Sequence, residues 1–319
     1  MIPLTAAAVQ TGSVLFDTPR TLEKLEALTA DAARQGASLI VFPEAFVGGY
    51  PKGVDFGARV GSRSPEGRDW FRRYFEAAID VPGPETNRIA KAAKAAKATL
   101  AVGVMEREGG TLYCSTLTVT PDGAIAGRHR KLMPTAMERL IWGSGDGSTL
   151  DVCDTPAGRV GGLICWERFM PLARAAIYAQ GVEIWTAPTV DDRDTWAAAM
   201  QMTAMEGRCF VVSACQHLRR KDAPADYAPI QGEDAETVLI RGGSLIVDPL
   251  GEVLAGPVFG EDAIVTAELD PRQIARGKFD FDVTGHYARP DVFELRVDTT
   301  ARRPVRFSPA NAATTAANE

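Results

Sequence analysis

Histidine is scarce in this chain. Three residues, His129, His217 and His286, are scattered over 319 positions and make no metal site, so none is expected. No Cys-x-x-Cys pair occurs among the five cysteines. Their odd number and open spacing exclude a disulfide framework and point to free thiols in a reducing, cytoplasmic compartment. No apolar run approaches the ~20 residues that a membrane span needs. The opening MIPLTAAAVQTG has no basic stretch ahead of a sustained apolar one, so no secretory leader is expected. Thirty-five Lys and Arg stand against 41 Asp and Glu, a formal net charge of −6, and no basic stripe interrupts the balance. A nucleic-acid surface is therefore not expected. A Gly-x-Ser-x-Gly elbow is also missing, which removes the commonest serine-hydrolase design.

What is present is an ordinary globular composition, 45% hydrophobic and 24% charged, in a chain long enough for a large α/β core. Residues 5–9 read as a short strand. Asp17 can cap a helix over 21–35, with Leu22, Leu25, Leu28 and Ala32 on one face and Gly36 at its end. A buried strand at 39–42 stops at Pro43 and delivers Glu44 at its carboxyl end. Residues 46–68 read as a long loop. Helices follow at 68–79 and 86–97, then a buried strand at 100–106 and a hairpin, YCSTLTVT and AIAGRHRK about a PDG turn. The hairpin pattern returns in GGSLIVDPLGEVLAG, which suggests a two-halved, pseudosymmetric layered sandwich. Residues 131–148 predict a short helix inside a loop. Strands at 152–155 and 159–164 lead to Cys165, and Pro171 opens a helix. A strand at 182–186, a helix at 196–206, the strand CFVVSACQ, a polar loop at 218–236 and a last core strand at 264–269 complete residues 1–300. Residues 301–319 show no periodicity and are expected to be a disordered tail.

Three groups fall at or just past predicted strand ends: Glu44, Lys131 and Cys165. Parallel strands bring their carboxyl ends to one edge, where ligands bind in open α/β layers. A thiol there, facing the start of a helix, is expected to be partly thiolate. Together the three could attack an electrophilic carbon bound to nitrogen. The thiolate adds, the carboxylate moves protons and activates water, and the ammonium steadies the developing charge. Taken singly, each has a structural alternative. Glu44 could cap a loop, Lys131 could be solvated surface, and a lone cysteine is usually buried packing. Glu138 would be the second carboxylate that positions Lys131. Glu167 could pair with Arg168 or Arg174, or line the site. Cys209 and Cys215 lie within one apolar strand and read as core.

FPEAF at 42–46, HRKLMPT at 129–135 and GGLICWE at 161–167 resemble the three signature segments of the nitrilase superfamily, in its order and at about its spacing. GSGDGS, CWERFMPLARAAIYAQG, EIWTAPT, MEGRCFVVSACQ and GHYARPDVF resemble the nitrilase branch, so the likeness runs from about residue 5 to about 297. The resemblance implies a four-layer α-β-β-α sandwich and a cofactor-free Glu-Lys-Cys mechanism. By motif position Glu44 is the general base, Lys131 the stabilising lysine, Cys165 the nucleophile and Glu138 the supporting glutamate, with the Trp166 backbone amide as a further donor. It implies hydrolysis of a small-molecule nitrile to acid and ammonia, with an amidase or a cyanide-converting relative as alternatives. The tryptophan after the cysteine speaks against the amidase branches. Homodimers building larger oligomers or spiral filaments are implied too, with the helices at Pro171 and Trp196 at the dimer face. Thr135, Trp142, Trp166, Pro188, Thr189 and Tyr50 are the pocket-wall candidates. Arg168 departs from the Asn or His of many relatives, which bears on substrate preference.

Overall fold

A computed structural model describes residues 3–302 and 305; most of 301–319, expected to be disordered, lies outside the described residues. β1 (Leu4–Gln10), α1 (Thr18–Arg34) and β2 (Ala37–Val41) form the βαβ opening, with β1 and β2 parallel. α1 starts three residues before the periodicity indicates. The Asp17 carboxylate accepts from Arg20 N at 3.1 Å, and Pro19 in the first turn has no N–H to leave unpaired. Within the expected long loop the chain makes a minimal hairpin, β3 (Ala58–Arg59) and β4 (Ser62–Arg63). α2 (Pro65–Ala77) and α3 (Pro84–Ala96) follow. α2 also starts early, because Ser64 caps it by accepting from Gly67 N at 3.0 Å. β5 (Thr99–Glu108), β6 (Thr111–Val119) and β7 (Ile125–Arg130) complete the first half as an antiparallel meander.

The second half adds β8 (Cys153–Thr155), β9 (Gly158–Gly162), α4 (Pro171–Ala179), β10 (Ile184–Thr189), α5 (Thr195–Gly207), β11 (Phe210–Cys215) and β12 (His217–Arg219). β13 (Val238–Val247), β14 (Val253–Phe259), β15 (Ala263–Leu269) and α6 (Arg272–Gly277) follow. β10 runs three residues further than expected. Its pairing with β9 stops at Thr186, so Pro188 costs no hydrogen bond on that side while β11 continues to pair on the other. Residues 131–148 hold two single 3-10 turns, at Ala136–Leu140 and Gly147–Thr149, rather than one helix. The polar 218–236 segment is not a free loop. Tyr227 is buried in it against Phe16 and Trp70, and its hydroxyl donates to Lys52 O at 2.5 Å.

Two six-strand paths result, β15-β1-β2-β5-β6-β7 and β12-β13-β11-β10-β9-β8, with β14 joined to β13. Alternation decides the layers. Ala6, Ala8, Leu39, Val41 and Ala101 of the first sheet pack against Val160, Ile184, Phe210, Val212 and Ile246 of the second. The opposite face of the first sheet buries Leu22 and Leu25 of α1 and Ile89 of α3. The opposite face of the second buries Ile177 of α4 and Met200 of α5. The order is helices, sheet, sheet, helices, a four-layer α-β-β-α sandwich. β15 belongs to the second half in sequence yet pairs antiparallel with β1 over seven residues, at the edge of the first sheet. Among the described residues no helix is long and apolar enough to cross a membrane.

β1, β2 and β5 run parallel, as do β9, β10 and β11. β7 regains the direction of β5 after two reversals. Glu44, three residues past β2, Lys131, one past β7, and Cys165, three past β9, therefore emerge at strand carboxyl ends. Gly103 lets the Glu44 turn lie on β5: a Cβ there would stand 2.0 Å from Pro43 O. Gly162 does the same under Cys165, where a Cβ would meet Thr186 O at 2.0 Å.

Candidate active site

Lys131 is wholly buried, and its Nζ donates to Glu44 Oε1 at 2.6 Å and to Glu138 Oε2 at 2.8 Å. Burial alone would disfavour an ammonium, but Glu44, Cys165, Cys114 and Glu138 together hold Lys131 well above its ordinary value. Its Nζ lies over the Trp142 ring, 5.4 Å from the centroid. Glu138 is itself pinned: Oε1 accepts from Tyr50 Oη at 2.8 Å and Oε2 from Thr135 N at 2.6 Å. Glu44 is also fully buried. Burial raises its pKa, with Lys131 opposing and Glu138 adding to the rise. Gln216 Nε2 fixes its backbone carbonyl at 2.8 Å, and Cys114 Sγ lies 3.7 Å from Oε1. Glu44 Oε2 has no hydrogen-bond partner among the described residues.

Cys165 opens a 3-10 turn, Cys165–Phe169, with φ +52°. A non-glycine residue in the left-handed region costs about 1–3 kcal/mol and persists where the surroundings hold it. Here Glu167 does the holding. It accepts from Ile164 N at 2.8 Å, from Leu132 N at 2.6 Å and from His129 Nε2 at 3.0 Å. Glu167 thus pairs with His129, not with Arg168 or Arg174, and ties the cysteine turn to the Lys131 segment. The resting surroundings work against the partly ionised thiol that the sequence suggests. Burial first and the Glu44 carboxylate second push the Cys165 thiol up, outweighing Lys131 and Thr189. The first helix after it begins only at Pro171.

A cavity of about 180 Å³ opens on Cys165. It is lined by Tyr50, Thr135, Glu138 and Trp166 together with Lys52 and residues 190–193. Larger hollows of about 650 and 760 Å³ elsewhere contain none of Glu44, Lys131 and Cys165, so chemistry rather than volume marks the site. Of the six pocket-wall candidates, Tyr50, Thr135 and Trp166 border this cavity. Trp142, Pro188 and Thr189 do not. Trp142 backs Lys131, Pro188 is buried in register with Ala214, and Thr189 Oγ1 lies 3.1 Å from Cys165 Sγ, sealed from solvent. Arg168 is not at the cavity either. It is buried between α4 and α5, donating from Nε to Thr203 Oγ1 at 3.1 Å, and burial with Arg174 nearby brings it down to about 10. Asp191, just past the EIWTAPT segment, escaped the sequence reading. It accepts from Trp166 Nε1 and from Arg193 Nε, both at 2.8 Å, and so fixes the indole at the cavity wall.

A buried carboxylate and ammonium converge here beside a thiol on a strained turn. That set can add sulfur to an electrophilic carbon and move the protons that the addition requires. The carbon-nitrogen hydrolase family model matches residues 5–279. The chain belongs to the carbon-nitrogen hydrolase family. This carbon-nitrogen hydrolase is 54% identical over 305 residues to an aliphatic nitrilase of Sinorhizobium fredii, covering 96% of this chain and 99% of that one. It is 52% identical over 307 residues to a bifunctional nitrilase/nitrile hydratase of Nicotiana tabacum, covering 95% and 88%. In fold it is similar to the C. elegans NitFhit protein, with a TM-score of 0.73 at 18% identity, covering 95% of this chain and 70% of that one. Saccharomyces cerevisiae Nit3 matches at 0.67 and 21%, covering 90% and 97%.

Proposed function

We propose that this carbon-nitrogen hydrolase is a nitrilase that converts an organic nitrile and two waters to a carboxylic acid and ammonia. The observation that carries the reading is the Lys131 ammonium held between Glu44 and Glu138, behind a cavity that opens on Cys165. High identity to proteins named nitrilases supports it. Cys165 Sγ adds to the nitrile carbon while its proton passes to Glu44, which delivers it to the nitrile nitrogen. A thioimidate results. The rise of the Glu44 pKa above the usual carboxylate range suits a group that must take and return protons. Glu44 then draws a proton from water as the oxygen adds, and Lys131 steadies the charge on the tetrahedral centre. Ammonia leaves with the transferred protons. A second water, activated in the same way, splits the thioester and restores the thiol.

Glu138 holds Lys131 and is held by Tyr50, so Tyr50 serves the lysine as well as the wall. Thr135 and Trp166 are the substrate-facing side chains of the sequence candidates. Phe169, Leu172, Met202 and Met205 are exposed on and beside α4 and α5, which supports pairing of two copies through that face. Leu172→Asp should reduce the assembly by light scattering; an unchanged mass would count against this face.

The test of function is ammonia and acid release from a panel of nitriles, with the matching amides and cyanide alongside. Turnover of at least one organic nitrile, lost in Cys165→Ala, is expected. Turnover of amides alone would overturn the reading.

A further inference from the structure

The sulfur of Cys165 has a hydroxyl neighbour that the Glu-Lys-Cys scheme leaves idle. Thr189, the last residue of β10, is fully buried, and its Oγ1 lies 3.1 Å from Cys165 Sγ. The same oxygen accepts the backbone N–H of Asp191 at 2.9 Å. Its oxygen is thus engaged as an acceptor, and the sulfur is the acceptor within reach of its own proton. Asp191 in turn is locked by Arg193 and by the Trp166 indole, so the turn that carries this N–H is fixed on both sides.

Resting on the reading of Cys165 as the nucleophile, we propose that Thr189 is a positioning residue whose hydroxyl donates to the cysteine sulfur. The bond acts twice. It occupies one sulfur lone pair and leaves the thiol's own proton free to pass to Glu44, the carboxylate that interacts with Cys165. It then remains on the sulfur as negative charge develops there, and hydrogen bonds to a charged group are the stronger ones. No new covalent step is involved: the S–H proton goes to Glu44, and the sulfur electron pair forms the bond to carbon. Because the sulfur is buried beside a carboxylate, a donor at the moment of attack offsets the cost of charge developing there. Lys131 is already engaged by two carboxylates.

The experiment is alkylation of Cys165 by iodoacetamide as a function of pH, located by peptide mass spectrometry and run beside nitrile turnover. The variants are Thr189→Val, which keeps the shape and loses the hydroxyl, and Thr189→Ser, which keeps the hydroxyl. The groups facing the sulfur are Glu44 from the loop after β2, Lys131 and Glu138 from the segment after β7, Arg193 beyond β10 and Cys215 at the end of β11. All are unchanged in these variants, so a shift reports the hydroxyl. Thr189→Val is expected to slow alkylation at neutral pH about tenfold and move its profile to higher pH, the weight of one hydrogen bond to a charged group. kcat should fall with it more than KM rises, and Thr189→Ser should restore both. A Val profile that superimposes on the parent, or a Ser variant as impaired as Val, would overturn the proposal. Thr189→Ala takes the place of Val if the added methyl prevents folding. Parent protein that alkylates at Cys165 but turns over no nitrile would count against the functional reading alone, because alkylation needs no nitrile.

Discussion

Removing the Glu167 carboxylate tests how the two motif segments are joined. Its oxygens accept from Ile164 N, Leu132 N and His129 Nε2 at 2.6–3.0 Å, and its side chain is fully buried. Glu167→Ala leaves two backbone N–H groups and an imidazole without their acceptor. Each orphaned buried donor costs about 1–3 kcal/mol, and breaking a buried ion pair from one side costs about 3–5 kcal/mol. The terms overlap, so a loss of about 3–5 kcal/mol is expected, or roughly 4–8 °C in Tm for a chain of this size. Circular dichroism melts read the stability, and ammonia release reads the site. kcat should fall as well, because the strained Cys165 turn loses the group that ties it to Leu132 and so to Lys131. Glu167→Gln should recover less than half of the loss. Its carbonyl satisfies one backbone N–H, while its amide nitrogen meets the other, donor against donor. A Glu167→Ala variant that melts within 2 °C of the parent would refute the reasoning, since it would mean that the carboxylate holds nothing together.

Glu44→Gln should lower kcat by about 10²–10⁴-fold, the usual weight of general acid–base catalysis; steady-state ammonia release measures it. The acid limb of kcat/KM should lie above the ordinary carboxylate range, because burial raises Glu44. Glu138→Gln, which removes a neighbouring negative charge, should move that limb to lower pH in the same profile while lowering kcat. Tyr50→Phe removes the 2.8 Å bond to Glu138 and should cost about tenfold in kcat/KM, since one such bond is worth about 1.5 kcal/mol. His129 is raised by Glu167 against the opposing effect of burial. A raised histidine contributes stability that is fully present below its unfolded pKa of about 6.5 and is lost as pH rises through the higher folded value. Denaturant titrations of parent and His129→Asn over pH 5–9 should show that fall in the parent and a flatter curve in the variant.

FPEAF, HRKLMPT and GGLICWE were legible because local chemistry marks them. A proline stops a buried strand before a glutamate, and glycines admit close backbone contact before the cysteine. Strand and helix periods around them placed most of the elements, since a buried face must repeat every two residues or every three to four, while the four layers came from the family resemblance. Asp17 capping and the apolar face of α1 were readable for the same reason. What sequence could not supply is whatever depends on distant partners. β15 reads as one more core strand, and nothing in 263–269 says that it crosses to pair with β1. Thr189 reads as a wall residue, but its hydroxyl faces the sulfur because β10 runs on past its pairing with β9. Glu167 has two arginines near it in sequence and finds His129 instead, across 38 positions, because the carboxyl ends of β7 and β9 meet. The sequence by itself determined the segments, their order and the chemistry they carry. Tertiary structure set the electrostatics, through burial that pushes the Cys165 thiol up and through the Glu44 and Glu138 carboxylates that hold Lys131 up against its burial. It also decided which oxygen, nitrogen or sulfur each polar group meets, because those distances are set by sheet packing and not by chain neighbours.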